Sequence, residues 1–131
     1  MVLTPIQFLF ALFIVFQIKQ LLADYVFQTI WMVNGKGRAG AGFIFPLFVH
    51  VFLHASLTLA IVAVIDPSLW YLAVVDFAVH FVIDRLKSGP RWFGRIDDPS
   101  RQAYWALFGL DQMAHHLTHY AIIWVIFSNR F

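Results

Sequence analysis

Residues 45–65 read FPLFVHVFLHASLTLAIVAVI. No Asp, Glu, Lys or Arg interrupts this run, and its titratable groups are His50 and His54. The ~30 Å hydrocarbon core of a bilayer asks an α-helix for about 20 consecutive apolar residues. Backbone groups in lipid must bond within the segment, which selects a helix over an open sheet. A small β-barrel needs alternating strands of about 10 residues, and residues 57–65 do not alternate.

Working outward, the whole 131-residue chain has this character, with 61% hydrophobic and 12% charged residues. The charged share is roughly half the usual ~25%. A soluble domain of this size could not hide so much apolar surface in one core. Four spans of about 20 residues would use about 80, which matches the apolar count. The same composition excludes disorder, collagen and coiled coil. Cysteine is absent, so disulfides and thiolate metal sites are ruled out. The first residues carry no basic n-region or small-residue cleavage pattern and read as mature protein.

Prolines mark the helix starts. Thr4-Pro5, Asp66-Pro67 and Asp98-Pro99 each put a capping side chain before a proline at the first helical position. Pro46 opens another helix without such a cap, and Pro90 falls in a loop. The expected fold is all-α: one polytopic domain over residues 1–131, a four-transmembrane-helix bundle with helices at 5–33, 45–65, 67–87 and 99–127. A Gly-rich stretch from 34 to 42, a tight turn at Asp66-Pro67 and a loop from 88 to 97 connect them.

Basic residues set the orientation. Lys36, Arg38, Arg85, Lys87, Arg91, Arg95 and Arg101 fall on one side and Arg130 on the other, with Lys19 inside helix 1. This predicts cytosolic basic loops and external termini. Trp31, Trp92 and Trp105 sit near the basic boundary, and Trp70 and Trp124 near the opposite one, as interfacial belts do.

The spans are not uniformly apolar. Helix 1 carries Gln17, Gln20, Asp24 and Gln28; helix 2 carries His50, His54 and Thr58. Helix 3 carries Asp76, His80 and Asp84; helix 4 carries Asp111, His115 and His119, with Thr118 beside them. Spacings of three and four put each set on one helix face. At a rise of ~1.5 Å per residue, Asp24, His50, His54, His80, Asp84, Asp111 and His115 lie roughly 4–16 Å inside the basic boundary. Ionisable groups within spans are costly and face protein or water, so the four stripes are expected to meet.

A divalent metal, Zn, Mn or Fe, is the sharpest reading of such a layer. Pairs at i and i+4 can reach one ion, which makes His50, His54, His80, Asp84, Asp111 and His115 the candidate ligands. Asp24 and Gln28 are candidate catalytic residues, as base and substrate contact, or would orient the ligands. Such a site would suit a metal-dependent membrane hydrolase acting on a lipid-linked or phosphorylated substrate. Two other readings stay open: a His–Asp network that holds the bundle of a non-enzymatic accessory subunit, and a proton or ion path. No haem is expected, because axial ligation does not ask for carboxylates at every turn. The histidine boxes of membrane di-iron desaturases need more His than the six here.

Lys87, Arg91, Trp92 and Arg95 are expected to contact lipid headgroups, as a positive-inside anchor or an anionic-lipid loop. Lys19 is read as structural, pairing with a carboxylate or snorkelling. His116 and Gln112 fall about 100° around helix 4 from its main stripe, toward a neighbouring helix or a second subunit. Phe8, Phe10, Phe13 and Phe16 are expected to face lipid. Membrane lipids, and a larger complex or homo-oligomer, are the expected partners. No phosphate-binding loop, nucleophile elbow or nucleic-acid module is present.

Several blocks together resemble a known family. They are Leu22-Ala23-Asp24-Tyr25-Val26-Phe27-Gln28-Thr29 with Trp31, Met32 and Lys36; His50 and His54; His80-Phe81-Val82-Ile83-Asp84 with Lys87; and Asp111-Gln112-Met113-Ala114-His115. In these the chain resembles the bacterial inner-membrane proteins grouped as domain of unknown function 3307, over nearly its whole length. The resemblance implies an inner-membrane helical protein and supports the polar positions, and it lends no reaction. The family pattern has Asp after the Gln-Thr pair, where this chain has Ile30.

Overall fold

The computed structural model describes residues 3–131, and every regular element among them is helical. Helix α1 (Pro5–Leu21) runs into a π turn (Leu22–Val26), followed by α2 (Ile30–Lys36) and α3 (Ile44–Ile65). A 3₁₀ turn (Pro67–Leu69) leads into α4 (Tyr71–Ser88), and another (Phe93–Arg95) precedes α5 (Gln102–Arg130).

The helix starts follow their caps in part. The Thr4 hydroxyl accepts from the Gln7 backbone N–H at 3.3 Å while the Gln7 side chain accepts from Thr4 N–H at 3.0 Å, a reciprocal capping box. Asp66 accepts from the Ser68 backbone at 3.0 Å and its hydroxyl at 2.7 Å, bonds that hold the Asp66 carboxyl below its ordinary pKa. They close the 3₁₀ turn, so α4 begins at Tyr71 rather than at 67. Asp98 likewise spends its carboxylate on Ser100 N–H at 2.9 Å, and α5 starts three residues later than expected, at Gln102.

The larger correction concerns the expected helix 5–33, which is two helices. The Phe27 N–H reaches back five residues to the Leu22 carbonyl at 2.8 Å, and the chain then leaves the helix. Thr29 turns extended and caps α2, accepting from Met32 N–H at 3.4 Å. The carbonyl of Asp24, freed by the break, takes the Gln28 side-chain amide at 2.8 Å instead. A Thr inside an apolar periodic run had read as helix interior; here its hydroxyl competes for the backbone. Such π turns recur at functional sites.

Helices α1, α3, α4 and α5 pack as a ring, with α1 against α3 and α5, and α4 against α3 and α5. Its ends are distinct. At one, Asn129 reaches Asp66 at 2.9 Å and the Phe8 and Phe131 rings meet edge to face, so the termini and the α3–α4 turn lie together. At the other, Arg85 holds the Lys36 and Arg38 carbonyls, each at 3.2 Å, and stacks on Phe43. The basic loops therefore share one end and the termini the other.

The interior has two layers. Phe8, Leu12, Phe16, Val62, Leu72, Ile122 and Ile126 fill the terminus half. Toward the basic end the buried polar side chains include Lys19, Gln20, Lys36, His50, His54, Asp76, His80, Asp84, Asp111, His115 and His119, with Leu47 and Val51 buried among them. The outside is apolar: Ile6 is 72% exposed, Phe10 67% and Val64 88%. Phe8 and Phe16, expected toward lipid, are instead core residues, because burial of Lys19 turns that face of α1 inward. Two segments, Pro5–Val26 and Ile44–Ile65, are long and apolar enough to cross a membrane.

Gly35 fixes how α2 seats on α3. A Cβ there would lie 2.4 Å from two ring carbons of Pro46, with no flexible side chain to yield. Gly35→Ala is expected to cost about 1–3 kcal/mol by overpacking, read as a lower thermal midpoint in detergent.

Candidate functional site

The residues singled out in the four stripes do converge. His54 Nε2 lies 3.0 Å from Asp24 Oδ1. His50 Nε2 sits between two carboxylates, 3.1 Å from Asp84 Oδ2 and 3.4 Å from Asp24 Oδ1, attracted to both yet aligned with neither. Imidazole rings continue the contact across helices: His54 and His80 centroids are 4.3 Å apart and those of His80 and His115 4.5 Å. Three sets of ligand atoms each gather within 4.8 Å: Asp24, His50 and His54; Asp84, Asp111 and His115; His54, His80 and His119.

Local helix geometry decides which ring atoms are free. His80 Nδ1 donates to the Asp76 carbonyl at 2.9 Å, and His115 Nδ1 donates to the Asp111 carbonyl at 2.7 Å, each one turn back on its own helix. A ring so held carries its proton on Nδ1 and presents Nε2 as a lone pair. Both Nε2 atoms are buried without a hydrogen-bond partner, as are Asp84 Oδ2 and Asp111 Oδ1. Backbone-oriented imidazoles are a common support for metal ligation. His119 differs: its Nε2 accepts from the Lys19 ammonium at 2.9 Å, which leaves the proton on Nδ1 and puts a cation beside it. The set containing His119 is thus the poorest cation site of the three.

The sequence reading allowed Lys19 a carboxylate partner but missed where the other two lysines go. The chain has three, and each meets an interior aspartate: Lys19 with Asp76 at 2.7 Å, Lys36 with Asp84 at 3.3 Å, and Lys87 with Asp111. Lys36 and Lys87 had counted only toward orientation and lipid contact. Lys87, expected at headgroups, turns inward with 28% of its side chain exposed. Its i+3 spacing from Asp84 was the available signal. Asp24 alone of the four interior carboxylates lacks a lysine; it takes His50, His54 and a short hydrogen bond from Gln20. Gln28 bridges from the Asp24 carbonyl to Lys36 Nζ, 2.7 Å from its Oε1. Trp92 lies in the exposed loop, and Arg95 folds back on the Pro90 carbonyl. His116 meets Gln17 of α1 at 3.3 Å.

The cluster opens at the basic end. A cavity of about 60 Å³ is lined by Asp24, Gln28, Lys36, Asp84, Lys87 and Asp111. A groove of about 320 Å³ shares Gln28, Lys36, Lys87 and Phe108 with it and continues past Val33, Tyr104 and Leu107.

The family model described as "Protein of unknown function (DUF3307)" matches residues 12–130. The chain belongs to the DUF3307 family. No curated protein and no solved structure matches this DUF3307 chain. Ile30 is 79% exposed at the start of α2 and stands outside the cluster.

Proposed function

We propose that this DUF3307 protein is a four-span membrane protein whose interior His/Asp cluster binds a divalent metal, Zn, Mn or Fe, and hydrolyses a lipid-linked or phosphorylated substrate at the cytosolic leaflet. The observation that carries the reading is the set Asp84, Asp111 and His115, whose ligand atoms gather within 4.8 Å and in which Asp84 Oδ2, Asp111 Oδ1 and His115 Nε2 are buried without hydrogen-bond partners. Unsatisfied buried polar groups cost about 1–3 kcal/mol each, and an ion within reach of this set would satisfy all three. A bound ion would supply Lewis acidity and acidify a water. Asp84, Asp111 and His115 would hold it, and Asp24, lining the cavity beside them, would accept the proton.

The direction in which the polar groups point supports the four-span reading. Asp76, His80, Asp84, Asp111, His115 and His119, which lower the hydropathy of α4 and α5, are all interior, while Val74, Val82, Leu117 and Trp124 are over half exposed. The basic end then faces the cytosol of a bacterial inner membrane. The absence of native cysteine makes this testable. Cysteine at Asn129 is expected to react with an impermeant maleimide from outside intact cells, and cysteine at Arg91 only after lysis; the reverse pattern inverts the topology.

The three Lys–Asp pairs favour a second reading, in which the network only holds the bundle. The apolar layer of Phe8, Leu12, Phe16 and Ile126 offers a through-going proton path no polar steps at the terminus end. Elemental analysis of purified protein separates the first two: about one ion per chain supports the metal reading, and metal-free protein under conditions that retain metal removes it.

A further inference from the structure

Every lysine of this chain sits on a carboxylate, while all six arginines lie toward the ends. Lysine is a compact point charge on a flexible stem, and lacks the fixed bidentate hold of arginine. Two of the three pairs, Lys36–Asp84 and Lys87–Asp111, occupy carboxylates of the candidate ligand set. Those two lysines also line both the cavity and the groove outside it. They therefore stand where the cation would bind and at the neck where a substrate would enter.

We propose that Lys36 and Lys87 are displaceable occupants of the cation site, and that metal binding turns them outward to form a receptor for a phosphoryl group carried on an amphiphile. This rests on the metal reading above. A dication on Asp84 and Asp111 takes over the charge that the ammonium groups now neutralise. The freed ammonium groups and the ion then present positive charge toward the groove. In the metal-free state the cavity holds three carboxylates, Asp24, Asp84 and Asp111, against two lysines that are already paired. A phosphoryl dianion entering it is repelled at close range and in low dielectric. Metal and phosphoryl binding are therefore positively coupled, each tightening the other by the same factor. The groove sets the rest of the ligand. Val33, Ile96, Tyr104, Leu107 and Phe108 give it an apolar flank, and Lys87 lies 5.2 Å from the Phe108 ring. An acyl or isoprenyl chain fits that flank, with its phosphate at the lysines.

The test uses the full chain in phosphatidylcholine nanodiscs, Mn²⁺ as the metal, and two phosphoryl probes, inorganic phosphate and short-chain phosphatidic acid. Mn²⁺ is expected to tighten phosphatidic acid binding at least tenfold, with inorganic phosphate weaker than phosphatidic acid. Lys87→Met and Lys36→Met are each expected to bind Mn²⁺ as tightly as wild type or more so, since the competitor is gone, and to lose most of the Mn²⁺-dependent gain. Lys87→Arg is expected to keep the gain, which separates charge from folding. Equal phosphoryl affinity with and without Mn²⁺, or loss of Mn²⁺ binding in the methionine variants, overturns the proposal while leaving the metal reading standing. Inorganic phosphate binding as well as the lipid overturns the amphiphile as ligand. Wild type that takes up no metal removes both.

Discussion

Purified His115→Ala protein is expected to lose its metal, with affinity down at least about 100-fold, and Asp111→Asn to behave alike. His115 contributes a lone pair that its own helix aims, through the 2.7 Å bond from Nδ1 to the Asp111 carbonyl. Removing a neighbour that orients a ligand without touching the ion costs less, about 10–100-fold, and Gln28→Ala, which frees both the Asp24 carbonyl and Lys36, belongs to that group. Ligands of this type bind as neutral imidazole and ionised carboxylate, so binding releases protons and affinity falls as pH drops. A purely structural network predicts another pattern: His115→Ala lowers the thermal midpoint, and added metal raises neither protein's midpoint. Thermal melts of both proteins with and without Mn²⁺ distinguish the two. A wild type that metal does not stabilise, beside an equally unaffected variant, sinks the catalytic reading.

How far the site could be read from the chain depends on what carried the information. The i and i+4 spacings fixed which side chains share a face: His50–His54 and Asp111–His115 each enter one set of ligand atoms, whereas His80 and Asp84 fall in different sets. Periodicity speaks of faces and leaves the reach of a long side chain open. Lys36 and Lys87 therefore read as boundary charges, although the four-carbon stem of each carries its ammonium to an interior aspartate. The break at Phe27–Thr29 was legible only in the Thr29 hydroxyl, a cap signal outweighed by the apolar residues around it. The aromatic face of α1 divided for a similar reason. Phe10 keeps its outward position at 67% exposure, but burial of Lys19 required Phe16 to cover the ion pair, with its ring 5.4 Å from that of His119. What hydropathy alone could not reveal in α4 and α5 was the direction of their polar groups.

The deepest ion pair carries the other large effect. Lys19→Met keeps the stem and removes the charge, leaving the Asp76 carboxylate fully buried with the Thr58 hydroxyl at 2.8 Å as its remaining hydrogen-bond partner. Breaking a buried pair from one side typically costs about 3–5 kcal/mol, because the survivor's charge is left uncompensated. Loss of the 2.9 Å bond to His119 Nε2 adds to that. The double variant Lys19→Met/Asp76→Asn is expected to recover more than about 2 kcal/mol of the loss, since neighbours in one network couple by up to ~3 kcal/mol. Equilibrium unfolding in detergent of the wild type, both single variants and the double gives the cycle. Additive losses would show that Lys19 and Asp76 do not act as a pair. Mn²⁺ affinity supplies the second readout. Lys19 contacts neither Asp84 nor Asp111, and its cation sits beside His119, the poorest ligand of the three sets. Lys19→Met protein that still folds should therefore bind Mn²⁺ within about threefold of wild type, whereas Asp111→Asn should not. Stability would then reside mainly in the mid-bundle pair and ligand binding in the layer nearer the basic end, two functions of one polar stripe separated by about two helical turns.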